Sequence, residues 1–137
     1  MVHDLIKSKI ESLERCVARI SQKVPSSKEI LESDIDLQDI IIINLERAVQ
    51  LSSDMAMIIL SESNAPVPAT MGEAFEELVS RKLISPSLGE RMKKAVGFRN
   101  LAVHAYTKID WTIVWKIIKE HLDEFRQFAE AVYNWKP

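Results

Sequence analysis

Arg99, His104 and Tyr106 lie within eight consecutive residues in the last third of the chain, and their side chains suit chemistry on a phosphate group. The planar, permanently charged guanidinium of an arginine can bind two phosphate oxygens at once. A histidine can donate or accept a proton near neutral pH, and a tyrosine hydroxyl can form a hydrogen bond or be covalently modified. Three aliphatic residues flank them: Val96, Leu101 and Val103. We call residues 99–106 the octet and expect a low local dielectric constant around it.

The spacing within the octet leaves its geometry open. Residues five apart on an α-helix point about 140° apart, so Arg99 and His104 would not share a face, whereas Arg99 and Tyr106 would. Asn100 and His104, four apart, would share another face, where the amide could orient the histidine or a phosphate. Arginine and histidine could meet in three ways: the arginine side chain bends round, the helix ends near residue 104, or two chains meet across a two-fold axis. The last two together are favoured.

An arginine and a histidine in one pocket could cleave RNA without a metal ion. The ribose 2′-OH attacks its own phosphorus and expels the 5′ oxygen, while His104 takes the 2′ proton or delivers one to the leaving oxygen. Arg99 would stabilise the negative charge that builds up on the phosphorane oxygens. The 2′-OH restricts this reaction to RNA, and the sequence offers no good set of metal ligands. The hypothesis requires the guanidinium and the imidazole to converge on one pocket.

The composition is that of one ordinary globular domain over residues 1–137. The formal net charge is −2, but residues 81–108 carry seven basic residues and one acidic residue. That segment therefore has a net charge of +6, and the rest of the chain has −8. A general polyanion-binding protein would be basic throughout. The sequence instead predicts an acidic body with one basic region around the octet.

Two features bear on the cellular compartment. The longest uncharged apolar run, residues 40–43, is far shorter than the roughly 20 residues of a membrane span, and the charged N-terminus does not resemble a secretory signal. The single cysteine, Cys16, cannot form an internal disulfide and is expected to pack in or beside the core. We expect a cytoplasmic protein with no membrane segment.

Apolar residues recur at three- and four-residue steps through most of the chain, which predicts an all-α fold. The expected helices cover residues 2–24, about 26–61, about 70–79, 85–104 and about 110–133. The second helix is expected to start at a cap at Ser26 or Ser33, with a break near residue 33, and it is apolar on more than one side. Thr70, and Ser85 with Pro86, mark the starts of two later helices. The predicted architecture is an up-and-down bundle of four to five helices.

Three further positions carry side chains that could contribute to a site. Asp54 is expected to lie buried near the octet as a partner of its cations, and Lys94 is expected to be a supporting cation. His121 has Glu124 three residues away, and an ion pair on the surface is expected there rather than a metal site.

Arg99-Asn100-xxx-His104, with a polar residue directly after the arginine, resembles the signature of HEPN domains, which are all-α bundles and in many cases metal-independent ribonucleases. The tyrosine two residues after the histidine resembles the narrower HepT-like toxin group within HEPN. Other segments are similar to that group as well: residues 44–54, 66–78, 96–100 and 109–111. The resemblance covers about residues 35–128.

The resemblance implies an endoribonuclease toxin of a type VII-like toxin–antitoxin pair, with no cofactor and with a minimal nucleotidyltransferase (MNT) antitoxin as partner. A homodimer would place two motifs across one cleft, where Arg99 and His104 cleave RNA with Asn100 in support. Tyr106 matches the tyrosine that the antitoxin modifies with AMP, and AMP there would occupy the phosphate site and neutralise local positive charge. The alternative is a non-catalytic module that binds a nucleotide or a nucleotidyltransferase.

Overall fold

The computed structural model describes all 137 residues, and every regular element in it is a helix. Seven α-helices follow one another: α1 (Val2–Lys23), α2 (Lys28–Ser33), α3 (Ile35–Glu62), α4 (Met71–Ser80), α5 (Pro86–His104), α6 (Trp111–Lys116) and α7 (Asp123–Asn134). A 3₁₀ turn (Tyr106–Lys108) follows α5, and a π-helical turn (Ile117–His121) precedes α7. The predicted all-α class is confirmed. None of the helices combines the length and hydropathy needed to span a membrane.

Helix α3 is the centre of the bundle. It packs against α1, α2, α4, α5 and α7, so its apolar residues are buried on several sides, as the sequence predicted. Thirty-one buried hydrophobic residues form one continuous core, and Cys16 belongs to it as expected. Phe75 of α4 and Phe128 of α7 meet edge to face inside this core, with ring centroids 5.4 Å apart, an arrangement that the aromatic quadrupole favours.

The break expected near residue 33 is present, but the cap of each neighbouring helix lies one residue after the predicted cap. Ser27, and not Ser26, caps α2 by accepting a hydrogen bond from a backbone N–H of the first turn. Asp34, and not Ser33, caps α3 in the same way. Ser33 still belongs to α2, where its hydroxyl donates to the carbonyl of Ile30 at 3.2 Å. The errors arise because neighbouring Ser and Asp residues are all competent caps.

The starts of α4 and α5 are confirmed. The Thr70 hydroxyl accepts a hydrogen bond from the backbone of Glu73 at 3.1 Å. The Ser85 hydroxyl accepts one from the backbone of Leu88 at 3.1 Å, and Pro86 is the first residue of α5. Proline is favoured there because its missing N–H would have no helical partner.

The last predicted helix is interrupted in a way that the sequence pattern did not show. The π-helical turn at Ile117–His121 lies between α6 and α7, and such turns insert an extra residue into the helical repeat. Beyond this turn, Glu124 is buried although it is a carboxylate. With α6 and α7 counted as one interrupted helix and the short α2 set aside, five long helices form the bundle, in agreement with the predicted four to five.

Candidate functional site

The octet spans the end of α5 and does not continue as a helix. His104 is the last residue of α5, and Ala105 leaves the helical region with φ −147° and ψ 56°. Tyr106 then begins the 3₁₀ turn. The prediction that the helix ends near residue 104 is confirmed. Arg99 and Tyr106 therefore do not share a helix face, because no single helix contains both.

Arg99 is half-buried, and its guanidinium extends across to α3. One terminal nitrogen donates to Oε1 of Gln50 at 3.2 Å, and the other donates to Oδ1 of Asn100 at 3.3 Å. Its Nε is buried and has no hydrogen-bond partner in the chain. The guanidinium therefore does not bend round to His104, which excludes the first of the three arrangements. Gln50 was not predicted as a partner of Arg99, although it lies in a segment that resembles the family.

Asp54 lies one turn beyond Gln50 on α3 and reaches Arg99 only through it. Gln50 Nε2 donates to Oδ1 of Asp54 at 2.9 Å. The cation that directly contacts Asp54 is Lys9 of α1, with 3.5 Å between Nζ and Oδ2. The Asp54 side chain is 38% exposed. The expectation of a buried Asp54 paired with cations of the octet is therefore wrong, because α1 supplies the nearer charge.

His104 lies apart from Arg99 within one chain. It is exposed, and its imidazole forms no hydrogen bond with another side chain. Asn100 contacts Arg99 and not His104, so it does not orient the imidazole. A single chain therefore does not bring the guanidinium and the imidazole into one pocket, as the cleavage hypothesis requires.

Arg99 lines an apolar cavity of about 330 Å³ between α3, α5 and the α6–α7 region. This volume is within the range of small-molecule sites. Lys94 also lines it, from an exposed position one turn before Phe98. Charged residues that line the cavity are Glu46, Arg91, Lys94, Arg99, Lys116, His121 and Glu124. His104 is not among the lining residues.

The carboxylate of Glu124 contacts His121 at the side of this cavity, so the two residues that the sequence analysis paired do meet. Oε1 of Glu124 lies 2.6 Å from Nδ1 of His121 and 4.0 Å from a terminal nitrogen of Arg91. The expected surface location is wrong for Glu124, which the π-helical turn leaves buried. No group of three or more His, Cys, Asp or Glu side chains in the chain gathers closely enough to hold a metal ion.

Tyr106 is 41% exposed, and its hydroxyl faces α3. The hydroxyl donates to Oδ1 of Asp39 at 2.7 Å, and its ring meets Trp111 edge to face. Partial burial, the Asp39 hydrogen bond and the negative charges of Asp39 and Glu46 together raise the pKa of Tyr106 to about 12. The phenol is therefore protonated at neutral pH, and its surroundings are acidic. The expected positive field around Tyr106 is not present.

Leu101 and Val103 lie on the surface of α5 beside the octet. They are 43% and 46% exposed, and only Val96 of the three flanking aliphatic residues is buried. The octet is therefore not enclosed by its own chain, which contradicts the expected low dielectric constant. Two more large apolar residues on adjoining elements are equally exposed, Ile43 of α3 and Ile113 of α6.

Comparison with known proteins gives consistent results over almost the whole chain. A family model described as Ribonuclease HepT-like matches residues 5–132. The mRNA nuclease HepT of Shewanella oneidensis is 33% identical over 131 residues, which are 96% of this chain and 98% of that protein.

Solved structures agree with the family match. The tri-AMPylated Shewanella oneidensis HEPN toxin in complex with MNT antitoxin is 34% identical, with a TM-score of 0.88, and the match covers 94% of this chain and 96% of that one. The cytosolic protein YutE of Bacillus subtilis, at 15% identity and a TM-score of 0.80 over 94% of this chain and 86% of its own, shares the fold.

Proposed function

This chain belongs to the ribonuclease HepT-like family, and we propose that it is a metal-independent endoribonuclease toxin that cleaves RNA through Arg99 and His104. The observation that carries this proposal is the placement of Arg99. Its guanidinium is held by Gln50 and Asn100 at the edge of an apolar cavity, with a buried Nε that has no partner. A buried donor without a partner destabilises the folded state by about 1–3 kcal/mol. The position of Arg99 is therefore not explained by a gain in stability.

A homodimer would complete the site. Within one chain Arg99 faces α3 and His104 is exposed at the end of α5, so a two-fold axis near this end would set the histidine of one chain beside the arginine of its partner. The exposed apolar side chains of Leu101 and Val103 beside the octet support an interface here, because association would remove them from water. This dimer combines the helix end at His104 with the two-chain arrangement.

The proposed reaction needs only groups of the protein and the RNA. The 2′ oxygen forms a bond to phosphorus while the bond from phosphorus to the 5′ oxygen breaks, leaving a 2′,3′-cyclic phosphate and a free 5′-OH. His104 of one protomer takes the 2′ proton, and its two-fold copy delivers a proton to the 5′ oxygen. Arg99 binds the phosphorane oxygens, whose added charge it stabilises, and Asn100 holds one edge of the guanidinium. Lys94 adds positive charge beside the cavity.

The toxin would be switched off by AMP on Tyr106, added by a partner MNT nucleotidyltransferase in a type VII-like toxin–antitoxin pair. The relative solved in complex with MNT antitoxin is tri-AMPylated. Tyr106 is partly exposed two residues after His104, so a bulky, negatively charged AMP there would repel and block the substrate phosphate. In this reaction the phenol oxygen forms a bond to the α-phosphorus of ATP while pyrophosphate leaves, and the Asp39 carboxylate, 2.7 Å away, is positioned to accept the phenol proton.

Cleavage is tested by incubating the pure protein with total RNA in EDTA. The wild type should cut, and Arg99→Ala and His104→Ala should each lower the rate by about a hundredfold or more. Lys108→Ala is the matched control, because it removes an exposed cation just after the octet and should leave the rate nearly unchanged. Absence of wild-type cleavage, or cleavage that survives both alanine variants, would show that the proposed mechanism is wrong.

Modification is tested by co-expression with the cognate transferase. Intact mass should rise in steps of one AMP in the wild type and in Tyr133→Phe, the control at the only other tyrosine. The mass should stay unchanged in Tyr106→Phe. Labelling that persists in Tyr106→Phe would exclude Tyr106 as the site.

A second function is favoured by the separation of Arg99 from His104 in one chain. In this alternative the apolar cavity beside Arg99 binds a nucleotide, and the protein is a non-catalytic module for a nucleotidyltransferase. Expression of the chain alone decides between the two, because growth arrest that depends on His104 fits the toxin and not the module. Tight nucleotide binding by calorimetry without RNA cleavage fits the module.

A further inference from the structure

An open groove of about 750 Å³, lined mostly by polar and charged residues, runs between α1 and α3 and carries three arginines. Arg15 and Arg19 lie one turn apart on α1, and Arg47 lies opposite them on α3. We call this surface the arginine groove. Its other lining residues are Ser12, Cys16, Ala18, Gln22, Asn44, Gln50 and Leu51. No acidic residue lines it, although the chain as a whole is acidic.

None of the three arginines forms an ion pair. All three residues are exposed, and the one side-chain contact among them is a hydrogen bond from Arg15 to the hydroxyl of Ser12 at 3.2 Å. The buried thiol of Cys16 lies below them: burial raises its pKa, while the charges of Arg47 and Arg15 act to lower it. The floor of the groove is therefore in a positive field.

The arginine groove meets the candidate site at Gln50. Gln50 lines the groove, and its Oε1 accepts the hydrogen bond from Arg99. Arg47 is three residues before Gln50 on the same face of α3. A row of unpaired guanidinium groups thus starts one turn from the residue that holds Arg99 and continues onto α1.

We infer that the arginine groove binds the backbone of single-stranded RNA next to the cleaved phosphate, an inference that rests on the proposed ribonuclease function. Unpaired cations along an open groove suit a chain of phosphates, because each contact releases a condensed counterion. Grooves that bind bases in single strands add aromatic side chains for stacking, and none lines this groove. The groove therefore adds affinity that is independent of RNA sequence.

The binding experiment uses fluorescence anisotropy with a labelled oligoribonucleotide, in EDTA and in the His104→Ala background so that the RNA stays intact. The triple variant Arg15→Gln, Arg19→Gln, Arg47→Gln should weaken binding about tenfold at low salt. The slope of log K against log salt is negative, and its magnitude should fall by about 2 in this variant. Each phosphate contact in a single strand contributes about 0.7, and the variant removes three such contacts.

The matched control removes three other cations that form no ion pair and lie outside the groove: Lys7, Arg126 and Lys136, each changed to Gln. This control has the same net charge as the triple variant, and its affinity should stay within about threefold of the parent. Equal loss of affinity in the two triple variants would overturn the inference, because general charge would then explain the effect.

Cleavage rates separate this inference from the proposed function. A dinucleoside monophosphate occupies only the cleavage site and is too short to contact the groove, so the groove variant and the wild type should cleave it at rates within about twofold. The groove variant should cleave a long RNA about tenfold more slowly than the wild type does. Wild-type cleavage with no effect of the groove variant would reject the groove alone. RNA binding that weakens in the groove variant while the wild type cleaves nothing would reject the ribonuclease function alone.

The partner nucleotidyltransferase is the other molecule that could bind the arginine groove. If the groove variant retains full RNA affinity but no longer co-purifies with the transferase, the groove is a protein interface and the RNA assignment is wrong.

Discussion

Two regions of this molecule, residues 81–108 and the arginine groove, differ in how many of their cations are paired with carboxylates. Residues 81–108 are the basic part of the sequence, yet three of their cations contact carboxylates from other elements or the preceding turn. The contacts are Arg81 with Glu77 at 2.9 Å, Lys93 with Glu76 at 2.6 Å and Arg91 with Glu124 at 4.0 Å. The arginine groove draws its cations from the acidic part of the sequence and keeps them unpaired.

The difference arises from helix packing. Helix α5 packs against α4 and α7, and both of these helices present carboxylates to it. Helices α1 and α3 meet along a face where arginines lie on both sides and the neighbouring Asp54 is already paired with Lys9. The charge of a segment along the sequence is therefore a poor guide to the charge of the surface that it forms.

The largest effect that would test this comparison is expected at Gln50, where the two regions meet. Gln50→Met keeps the volume of the side chain but removes the acceptor that holds Arg99. We expect kcat for RNA cleavage to fall about tenfold with little change in KM, because a displaced guanidinium loses stabilisation of the transition state. Gln127→Met, at an exposed position on α7 outside the groove, is the control. A kcat equal to that of the wild type would show that the contact between Gln50 and Arg99 has no role in catalysis.

A smaller effect is expected at Tyr106, the last residue of the octet, which lies beside the carboxylate of Asp39. In a Tyr133→Phe background, ultraviolet titration should give a pKa of about 12 for Tyr106, and Asp39→Asn should lower this pKa part of the way toward 10. Burial, the largest cause of the raised pKa, remains in the variant. An unchanged pKa would mean that Asp39 does not set the local field.

The ionisation of Tyr106 should also lower the free energy of unfolding at high pH. Because the folded pKa of Tyr106 lies above its unfolded value, its contribution to stability is complete below about pH 10 and is lost as the pH rises to about 12. Urea unfolding across this window should show a smaller loss of stability in Tyr106→Phe than in the wild type. Equal losses would assign the alkaline destabilisation to other groups.

The smallest effect is expected when the pairing of the basic segment is removed. Glu76→Gln with Glu77→Gln frees Lys93 and Arg81, and the pKa of Lys93, raised mainly by its hydrogen bond to Glu76, should return toward 10.5. RNA affinity should change by less than about twofold, since Arg81 at the end of α4 and Lys93 on α5 both lie outside the groove. A large gain in affinity would show that the surface around Arg81 and Lys93, and not the arginine groove, binds the RNA backbone.

Much of the fold was predictable because it depends on local signals. Apolar periodicity located the long helices, and Thr70 and Ser85 marked two of their starts. The caps of α2 and α3 were wrong by one residue because Ser26, Ser27, Ser33 and Asp34 offer equivalent oxygens. The π-helical turn was missed since nothing in the periodicity marks one inserted residue.

The candidate site was predictable only in its residue types. Arg99, His104 and Tyr106 were identified from their chemistry and from family resemblance. Their contacts were not, because Gln50 and Asp39, which bind Arg99 and Tyr106, lie 49 and 67 residues away in the sequence. Asp54 was assigned to the wrong cations for the same reason, since Lys9 lies 45 residues before it.

The sequence by itself determined the helices and the chemical groups, because helix formation and capping depend on residues within a few positions of each other. The tertiary structure alone decided which charges are paired and which are free, and it turned Arg99 toward α3 and away from His104. Pairing depends on which helix faces pack together, and close packing brings distant residues within hydrogen-bond range. The arginine groove is a product of that packing, since no single helix contains all three of its cations.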